Sequence, residues 1–314
     1  MVSSRGVVIA ALVANGAIAI MKFIGYLLTL SPSMLSETYH SISDTGNQVF
    51  LLIGLWYGGR ERTRIHPFGY GKAQFFYSFL VSVLLFGIAG WESANHGYHA
   101  VIHHESAALS GTVDLLSVTF PAVYVNYAVL SGGLVFEGWA FSKAYRNMSR
   151  QIEAHEWSGF VEGFRKTPDV TTLTALTEDT IALLGLGLAL VGIFLTQTTG
   201  NPIYDAISAL LIGIMLMGFA VALAWQNKRL LLGESLPERD EDKLREVVRE
   251  MDEVIEIIDF RSVYFGPDNI LITADVAFDP DLDTGEIDDL ITTMEETLMA
   301  ADPSIRKVYI EPEV

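Results

Sequence analysis

Imidazole and carboxylate side chains lie within two of the most apolar stretches of this sequence. His40 and Asp44 are four residues apart, so on a helix they lie one turn apart on one face, which Asn47 continues. Glu178 and Asp179 lie in a second apolar stretch. Imidazole and carboxylate are ligands of zinc and other first-row divalent ions, so these residues predict a metal site. A proton relay or a buried hydrogen-bond network is the alternative interpretation.

The elements that must position these groups are long apolar segments. A bilayer core of about 30 Å needs about 20 apolar residues per helix. The segments that meet this length are Val7–Leu30, Met34–Trp56, Ala73–Trp91, Leu115–Ala140, Val170–Thr196 and Ile203–Trp225. Asp44 and Asp179 each lie about ten residues from one end of their span, hence about 15 Å deep at about 1.5 Å per residue. Two antiparallel spans therefore bring ligands to one depth, where ionisable groups are expensive and usually functional.

Composition divides the chain into a membrane part and an acidic soluble part. Half of the 314 residues are apolar, 18% are charged and the mean hydropathy is +0.35. Residues 234–314 contain 24 acidic and 7 basic side chains, so they account for −17 of the net charge of −18. We therefore predict a six-span transport domain over residues 1–233 and an acidic cytoplasmic domain over residues 234–314. A basic nucleic-acid footprint is missing, and the lack of cysteine excludes thiolate sites.

The basic residues predict the orientation in the membrane, because cytoplasmic loops are enriched in lysine and arginine. No lysine or arginine occurs in the loops after spans one, three and five. The loops after spans two and four contain Arg60, Arg62, Arg64, Lys72, Lys143, Arg146, Arg150, Arg165 and Lys166. We expect a multi-pass protein of a prokaryotic inner (plasma) membrane with both termini in the cytoplasm.

The tail changes from membrane-like runs to short amphipathic elements. They are a helix at Asp240–Met251, strands at Val254–Phe265 and Asn269–Phe278, a helix at Thr284–Ala300 and a strand at Arg306–Ile310. The predicted fold class is a membrane all-α six-helix transmembrane domain plus a small α+β ferredoxin-like (αββαβ) cytoplasmic C-terminal domain.

Two further groups of ionisable residues lie in or near the spans. Lys22 in span one and Asp205 in span six lie at depths in the membrane that differ by less than one helical turn. We therefore expect a structural ion pair between the two helices. The alternative is that each side chain extends to the membrane interface. Four histidines lie near the external end of span three: His96, His99, His103 and His104. They could form a metal-binding patch, or they could lie at the membrane interface without binding a metal.

Several motifs, taken together and in order, resemble the cation diffusion facilitators, which include zinc transporters. The stretch Ser36–Gln48, with His-x-x-x-Asp at its centre, is similar to their transport-site helix, and His66–Lys72 is similar to the loop between their spans two and three. Six spans followed by an αββαβ tail match the family over essentially the whole chain. Leu176–Gly185 and Gly200–Asp205 most resemble the branch that includes the ninth human zinc transporter.

The resemblance implies a homodimer, joined through transmembrane and C-terminal domains, that exports Zn²⁺ in exchange for protons. It also implies a tetrahedral site with two ligands from span two and two from span five. His40, Asp44 and Asp179 take three of these positions, whereas Ala175 stands where the family usually has histidine. The fourth ligand is then water, Asn47 or Glu178, and an oxygen-rich set would shift the preference toward Mn²⁺.

The family's other metal sites are depleted in this sequence. In the loop site only His66 matches the expected ligands, and the tail contains no histidine after His155. We therefore expect a tail that dimerises without a high-affinity zinc site, and no cofactor apart from the transported ion. The predicted function is zinc efflux by proton antiport, not an enzyme activity. The alternatives are a manganese or iron/cobalt exporter of the same architecture, or a non-transporting membrane metal sensor or scaffold.

Overall fold

The computed structural model describes residues 4–103, 112–115 and 118–313. The chain forms two compact units, each assembled from three segments. The first unit comprises Met1–Ile53, Tyr77–Gln151 and Thr171–Trp225, and the second comprises Gly54–Phe76, Ile152–Val170 and Gln226–Val314. The predicted domain boundary between residues 233 and 234 stays a prediction.

The chain up to residue 232 is mostly helical. In chain order the helices are α1 (Ser4–Thr29), α2 (Pro32–Gly58), α3 (Lys72–Leu84), α4 (Trp91–His103), α5 (Val123–Ala154), α6 (Phe160–Lys166), α7 (Val170–Thr199) and α8 (Ile203–Leu232). A π-helical segment, Leu85–Gly90, joins α3 to α4. The helical membrane architecture predicted from the apolar segments is confirmed.

The predicted start of span four was wrong. Residues Thr112–Leu115 (β1) and Val118–Pro121 (β2) form an antiparallel pair, and α5 begins only at Val123. An apolar run rich in valine, threonine and phenylalanine suits a strand as well as a helix, and Pro121 disfavours helix in the residue before it. Apolar content therefore could not separate the strand pair from the helix that follows it.

Three helical stretches of the described chain are long and apolar enough to cross a membrane by length and composition: Lys72–His103, Thr172–Thr199 and Ile203–Leu232. Asn15–Thr29 is a shorter apolar stretch within α1. The polar side chains of α2 make it less apolar, but several of them are satisfied locally. The hydroxyls of Thr38 and Thr45 donate to the carbonyls of Met34 and Ser41, both at 2.8 Å, which suits an apolar environment.

Glycine allows two of these helices to approach closely. The Cα of Gly97 in α4 lies against the backbone at Leu210 in α8, and Gly213 in α8 lies against the backbone of Ala94. A side-chain carbon at either glycine would overlap the facing backbone. The α4–α8 contact is therefore a small-residue interface of the kind that brings membrane helices together.

The tail has the predicted αββαβ order. Its elements are α9 (Glu238–Arg249), β3 (Val254–Gly266), β4 (Asn269–Phe278), α10 (Thr284–Ala301) and β5 (Ile305–Glu313). Strand β4 is central, antiparallel to β3 and parallel to β5. Every second residue of β4 is buried, and the core beneath includes Leu244 and Val248 of α9 and Met294 and Leu298 of α10. This alternation is typical of a sheet with one face on a core, and the ferredoxin-like prediction is confirmed.

Within the second unit, Asp240 of α9 bonds to the residue after α5 and to a lysine of its own helix. The Nδ1 atom of His155 donates to Asp240 Oδ2 at 3.2 Å, and Lys243 Nζ donates to Asp240 Oδ1 at 3.3 Å. Burial by itself would raise the pKa of Asp240, but the hydrogen bond from His155 and the charge of Lys243 outweigh it, so this pKa is lowered from its ordinary value.

A pH-dependent contribution to stability follows. Because the folded state lowers the pKa of Asp240, its ionised form stabilises the fold above the unfolded pKa, and this stabilisation is lost as pH falls through the folded pKa. We expect Asp240→Asn to lower the melting temperature at pH 7, with a difference from the wild type that shrinks in acid. Thermal unfolding of the full chain in detergent across this pH range measures it. Asp242→Asn, at an exposed position of the same helix, is the control, and equal profiles for the two variants would contradict the prediction.

Candidate metal centre

Helix α2 aligns three polar side chains along one buried face. Pro32 is its first residue, and the hydroxyl of Ser31 accepts from the Met34 amide at 3.2 Å, which satisfies one amide of the first turn. His40 is 1% exposed, Asp44 6% and Asn47 0%. The two predicted ligands of α2 lie 3.5 Å apart, between His40 Nε2 and Asp44 Oδ2. The i, i+4, i+7 spacing in the sequence therefore becomes one polar stripe inside the helical unit.

Helix α7 brings its carboxylates to this stripe. Asn47 Nδ2 donates to Glu178 Oε1 at 2.7 Å, so Glu178 faces α2 directly. Asp179 is only partly buried, although it lies near enough to Asp44 to interact electrostatically. Ala175, one turn earlier, supplies only a methyl group. The sequence argument gave Asp179 the principal position on span five, whereas Glu178 is the residue that bonds to α2.

The cluster includes a carboxylate that the sequence analysis missed. Glu137 of α5 is buried, and it interacts electrostatically with Asp44, Glu178 and Asp179. Its position inside an apolar segment could have identified Glu137 as a candidate, because ionisable residues within membrane spans usually have a function. Glu137 was not predicted because the family resemblance implies ligands on spans two and five only. The centre thus involves three helices.

Several polar atoms of the centre lack a hydrogen-bond partner within the described part of the chain. They are both ring nitrogens of His40, Oδ1 of Asp44 and Oδ1 of Asn47. A buried polar atom without a partner costs about 1–3 kcal/mol, so such atoms in a native protein call for an explanation. Nitrogen and oxygen lone pairs of this kind can bind a first-row divalent cation or accept protons. The chemistry of the donor set therefore suits a metal ion as cargo.

The described residues contain no group of three or more His, Asp and Glu side chains arranged to hold a metal ion. The centre instead consists of two pairs, His40 with Asp44 and Asn47 with Glu178. Binding by all four would require their side chains to turn toward one point. The assignment of these residues and of Asp179 as metal ligands stays a prediction.

The predicted ion pair between Lys22 and Asp205 was wrong. Lys22 Nζ instead donates to Glu37 Oε2 at 2.7 Å and to Ser41 Oγ at 2.9 Å. Asp205 accepts from the hydroxyl of Ser33. The prediction compared only the depths of Lys22 and Asp205, and it did not consider Glu37 as a partner.

The other histidines make local contacts. His66 stacks on Tyr70 with ring centroids 4.2 Å apart, and its amide donates to the hydroxyl of Thr63 at 3.1 Å. His99 and His103 stack at 5.6 Å in α4. His104 lies outside the described residues. The secondary metal role of His66 and the role of the histidine cluster stay predictions.

Comparison with known proteins identifies the class. Residues 8–232 match the cation efflux transmembrane domain, and residues 236–313 match the cytoplasmic domain of cation efflux proteins. The chain belongs to the cation efflux family. The resemblance inferred from the sequence motifs is confirmed.

Among its relatives is the human proton-coupled zinc antiporter SLC30A9, mitochondrial, 30% identical over 273 residues, which are 87% of this chain and 46% of that protein. Metal tolerance protein C4 of Arabidopsis thaliana is 26% identical over 277 residues, covering 88% of this chain and 57% of the relative. An uncharacterized transporter of Methanocaldococcus jannaschii is 21% identical over 311 residues, covering 98% and 96%. The chain therefore spans about half the length of the first two relatives.

The contact between Asn47 and Glu178 allows a test of the centre. We expect Glu178→Gln to keep the hydrogen bond from Asn47, and therefore the fold, while it removes one negative charge. Affinity for Zn²⁺ or Mn²⁺ should fall about tenfold or more, which corresponds to about 1.4 kcal/mol. Titration calorimetry of the purified full chain measures it. Glu92→Gln, at an exposed position of α4, is the matched control. Equal affinities of the two variants would remove Glu178 from the centre.

Proposed function

We propose that this protein exports a divalent metal cation, with zinc as the first candidate, in exchange for protons. The observation that supports it most is the buried polar centre between α2 and α7, in which Asn47 bonds to Glu178 beside the His40–Asp44 pair. Membership of the cation efflux family supports the same function, and the human relative is named a proton-coupled zinc antiporter. Transport by a buried site of this kind makes or breaks no covalent bond, so we propose a transporter rather than an enzyme.

Proton coupling follows from the chemistry of the ligands. Imidazole and carboxylate bind metal through the same lone pairs that bind protons, so metal and protons compete for His40, Asp44 and the carboxylates of α7. A centre open to the cytoplasm loads metal. When it opens to a side where protons are more abundant, protonation releases the metal. Rocking of one group of helices against another alternates the access.

The identity of the ion depends on the donor set. A second histidine at position 175 would give the site two nitrogens, but the chain has alanine there. The remaining candidates contribute one imidazole against several oxygens, counting Asn47, Glu178 and Asp179. Oxygen ligands suit harder ions, so manganese, followed by iron and cobalt, is the alternative cargo to zinc.

We also propose a homodimer in a membrane with both termini on one side. The match of residues 236–313 to the cytoplasmic domain of cation efflux proteins supports a cytoplasmic tail, and the family resemblance supports its role in dimerisation. The basic residues after spans two and four support a location of both segments on the same side. The inner membrane of a prokaryote is our proposal for the location.

Transport by the purified protein tests the function. We expect metal to move into proteoliposomes when a pH gradient is imposed, and we expect Asp44→Ala and Asp179→Ala each to abolish the flux, because each removes an oxygen ligand. Uptake of Zn²⁺, Mn²⁺, Co²⁺, Fe²⁺ and Cd²⁺ should be compared. Asp242→Ala in the tail is the control for the loss of one acidic residue. Unchanged flux in both centre variants would refute the site assignment, and a wild type without flux would favour a metal sensor or scaffold.

A further inference from the structure

A buried ion pair adjoins the metal centre, and its lysine interacts electrostatically with His40, Asp44 and Glu137. Lys22 of α1 and Glu37 of α2 are 1% and 0% exposed, and their charged groups are 2.7 Å apart. The ammonium also donates to the hydroxyl of Ser41, one turn further along α2. The proposed transport cycle uses neither residue. Burying two charges is costly even when they are paired, so such a pair is weak evidence for stability and calls for another role.

Helix directions show on which side of the centre the pair lies. Glu37 is one turn closer than Ser41 to the start of α2, while Asn47 lies further along and bonds to Glu178. On α7, Oε1 of Glu37 lies against Gly185, seven residues beyond Glu178 and therefore about 10 Å along the helix. Glu37 thus lies on the side of the centre toward the end of the bundle where α1 ends and α2 begins, which we call the α1–α2 end. The Lys22 ammonium, which contacts both Glu37 and Ser41, reaches the level of His40.

Other polar contacts join helices at the α1–α2 end. The hydroxyl of Ser33 at the start of α2 donates to Asp205 of α8. Asn126 Nδ2 of α5 donates to Thr29 Oγ1, at the last residue of α1, at 2.9 Å. Side-chain bonds therefore link α2 to α8 and α5 to α1 beyond the Lys22–Glu37 pair. These contacts hold the helices together at this end.

The charges of the pair suit the control of a cation. While Lys22 lies on Glu37, its ammonium opposes the approach of a divalent cation, as fixed positive charges do in selective pores. The Oε1 atom of Glu37 has no hydrogen-bond partner within the described chain, so this carboxylate has lone pairs free for a second cation. Because Gly185 has no side chain, Oε1 of Glu37 can lie against α7 at this position, where a side-chain carbon would overlap it.

We propose that Lys22 and Glu37 form an electrostatic gate between the metal centre and the α1–α2 end. In the closed state the ammonium of Lys22 occupies Glu37. In the open state α1 withdraws the ammonium, and the leaving metal ion binds Glu37 on its way out of the centre. The passage of metal rests on the proposed transport function, whereas the closure of the α1–α2 end by this pair does not.

Accessibility of the centre tests the gate without any need for transport. The chain contains no cysteine, so Asp44→Cys introduces a single thiol reporter at the centre. We expect a membrane-impermeant thiol reagent to label this reporter slowly from the α1–α2 side. Adding Lys22→Met and Glu37→Gln together, which leaves no isolated charge buried, should accelerate labelling from that side about tenfold, equivalent to about 1.4 kcal/mol. Labelling from the opposite side should not change.

A matched control separates gating from general loosening. Ser78→Ala removes a contact of 3.3 Å between Ser78 of α3 and Thr174, near the start of α7 and away from the α1–α2 end. In this variant we expect no faster labelling from the α1–α2 side. Unchanged labelling in the double variant, or equal acceleration from both sides, would overturn the gate. Lys22→Gln, whose amide can still donate to Glu37, gives the same test with a milder change and should label at an intermediate rate.

Flux measurements then connect the gate to transport. With Asp44 restored, the double variant should let metal leak through proteoliposomes without a pH gradient, because the α1–α2 end no longer closes between cycles. Flux that remains fully dependent on the pH gradient would contradict the gate. If the wild type moves no metal while the labelling results hold, the transport function fails and the closure of the α1–α2 end by the pair stands.

Discussion

The cost of placing charged and hydrogen-bonding groups in an apolar interior governs the organisation of the helical part of this protein. A charge at the centre of a membrane helix costs about 2.5–3.5 kcal/mol on insertion scales. The chain nevertheless buries five ionisable side chains in neighbouring turns of three helices. They are Lys22, Glu37, His40, Asp44 and Glu178. Helix packing must therefore bring these groups to one another. Their contacts link α1 to α2 and α2 to α7.

Helix α2 is central to both sets of contacts because its polar side chains meet both α1 and α7. Asn47 bonds to Glu178 of α7, and Glu37 and Ser41 accept from Lys22 of α1. Glu37 also lies against Gly185 of α7. A rotation of α2 would therefore change the metal centre and the ion pair together. This shared helix gives a physical route by which the proposed metal binding and the proposed closure of the α1–α2 end can be coupled, as alternating access requires.

Much of the fold could be predicted from the sequence, because local patterns decide it. Apolar length located most of the helices, and the predicted bounds of β4, Asn269–Phe278, are the observed ones. The strand pair before α5 was missed because periodicity alone cannot assign a short apolar run to a strand or to a helix. The candidate site was predicted in its residue types and in the face of α2, which follow from helical spacing alone.

Partners across helices were decided only by the tertiary structure. Lys22 lies on Glu37 rather than on Asp205, Glu178 rather than Asp179 bonds to α2, and Glu137 joins from α5. Depth along a span can be read from a sequence, but the rotation of each helix about its axis depends on packing against its neighbours. A rotation of about 100° separates adjacent residues such as Glu178 and Asp179. The sequence therefore determined which groups are buried, and only packing decided which of them meet.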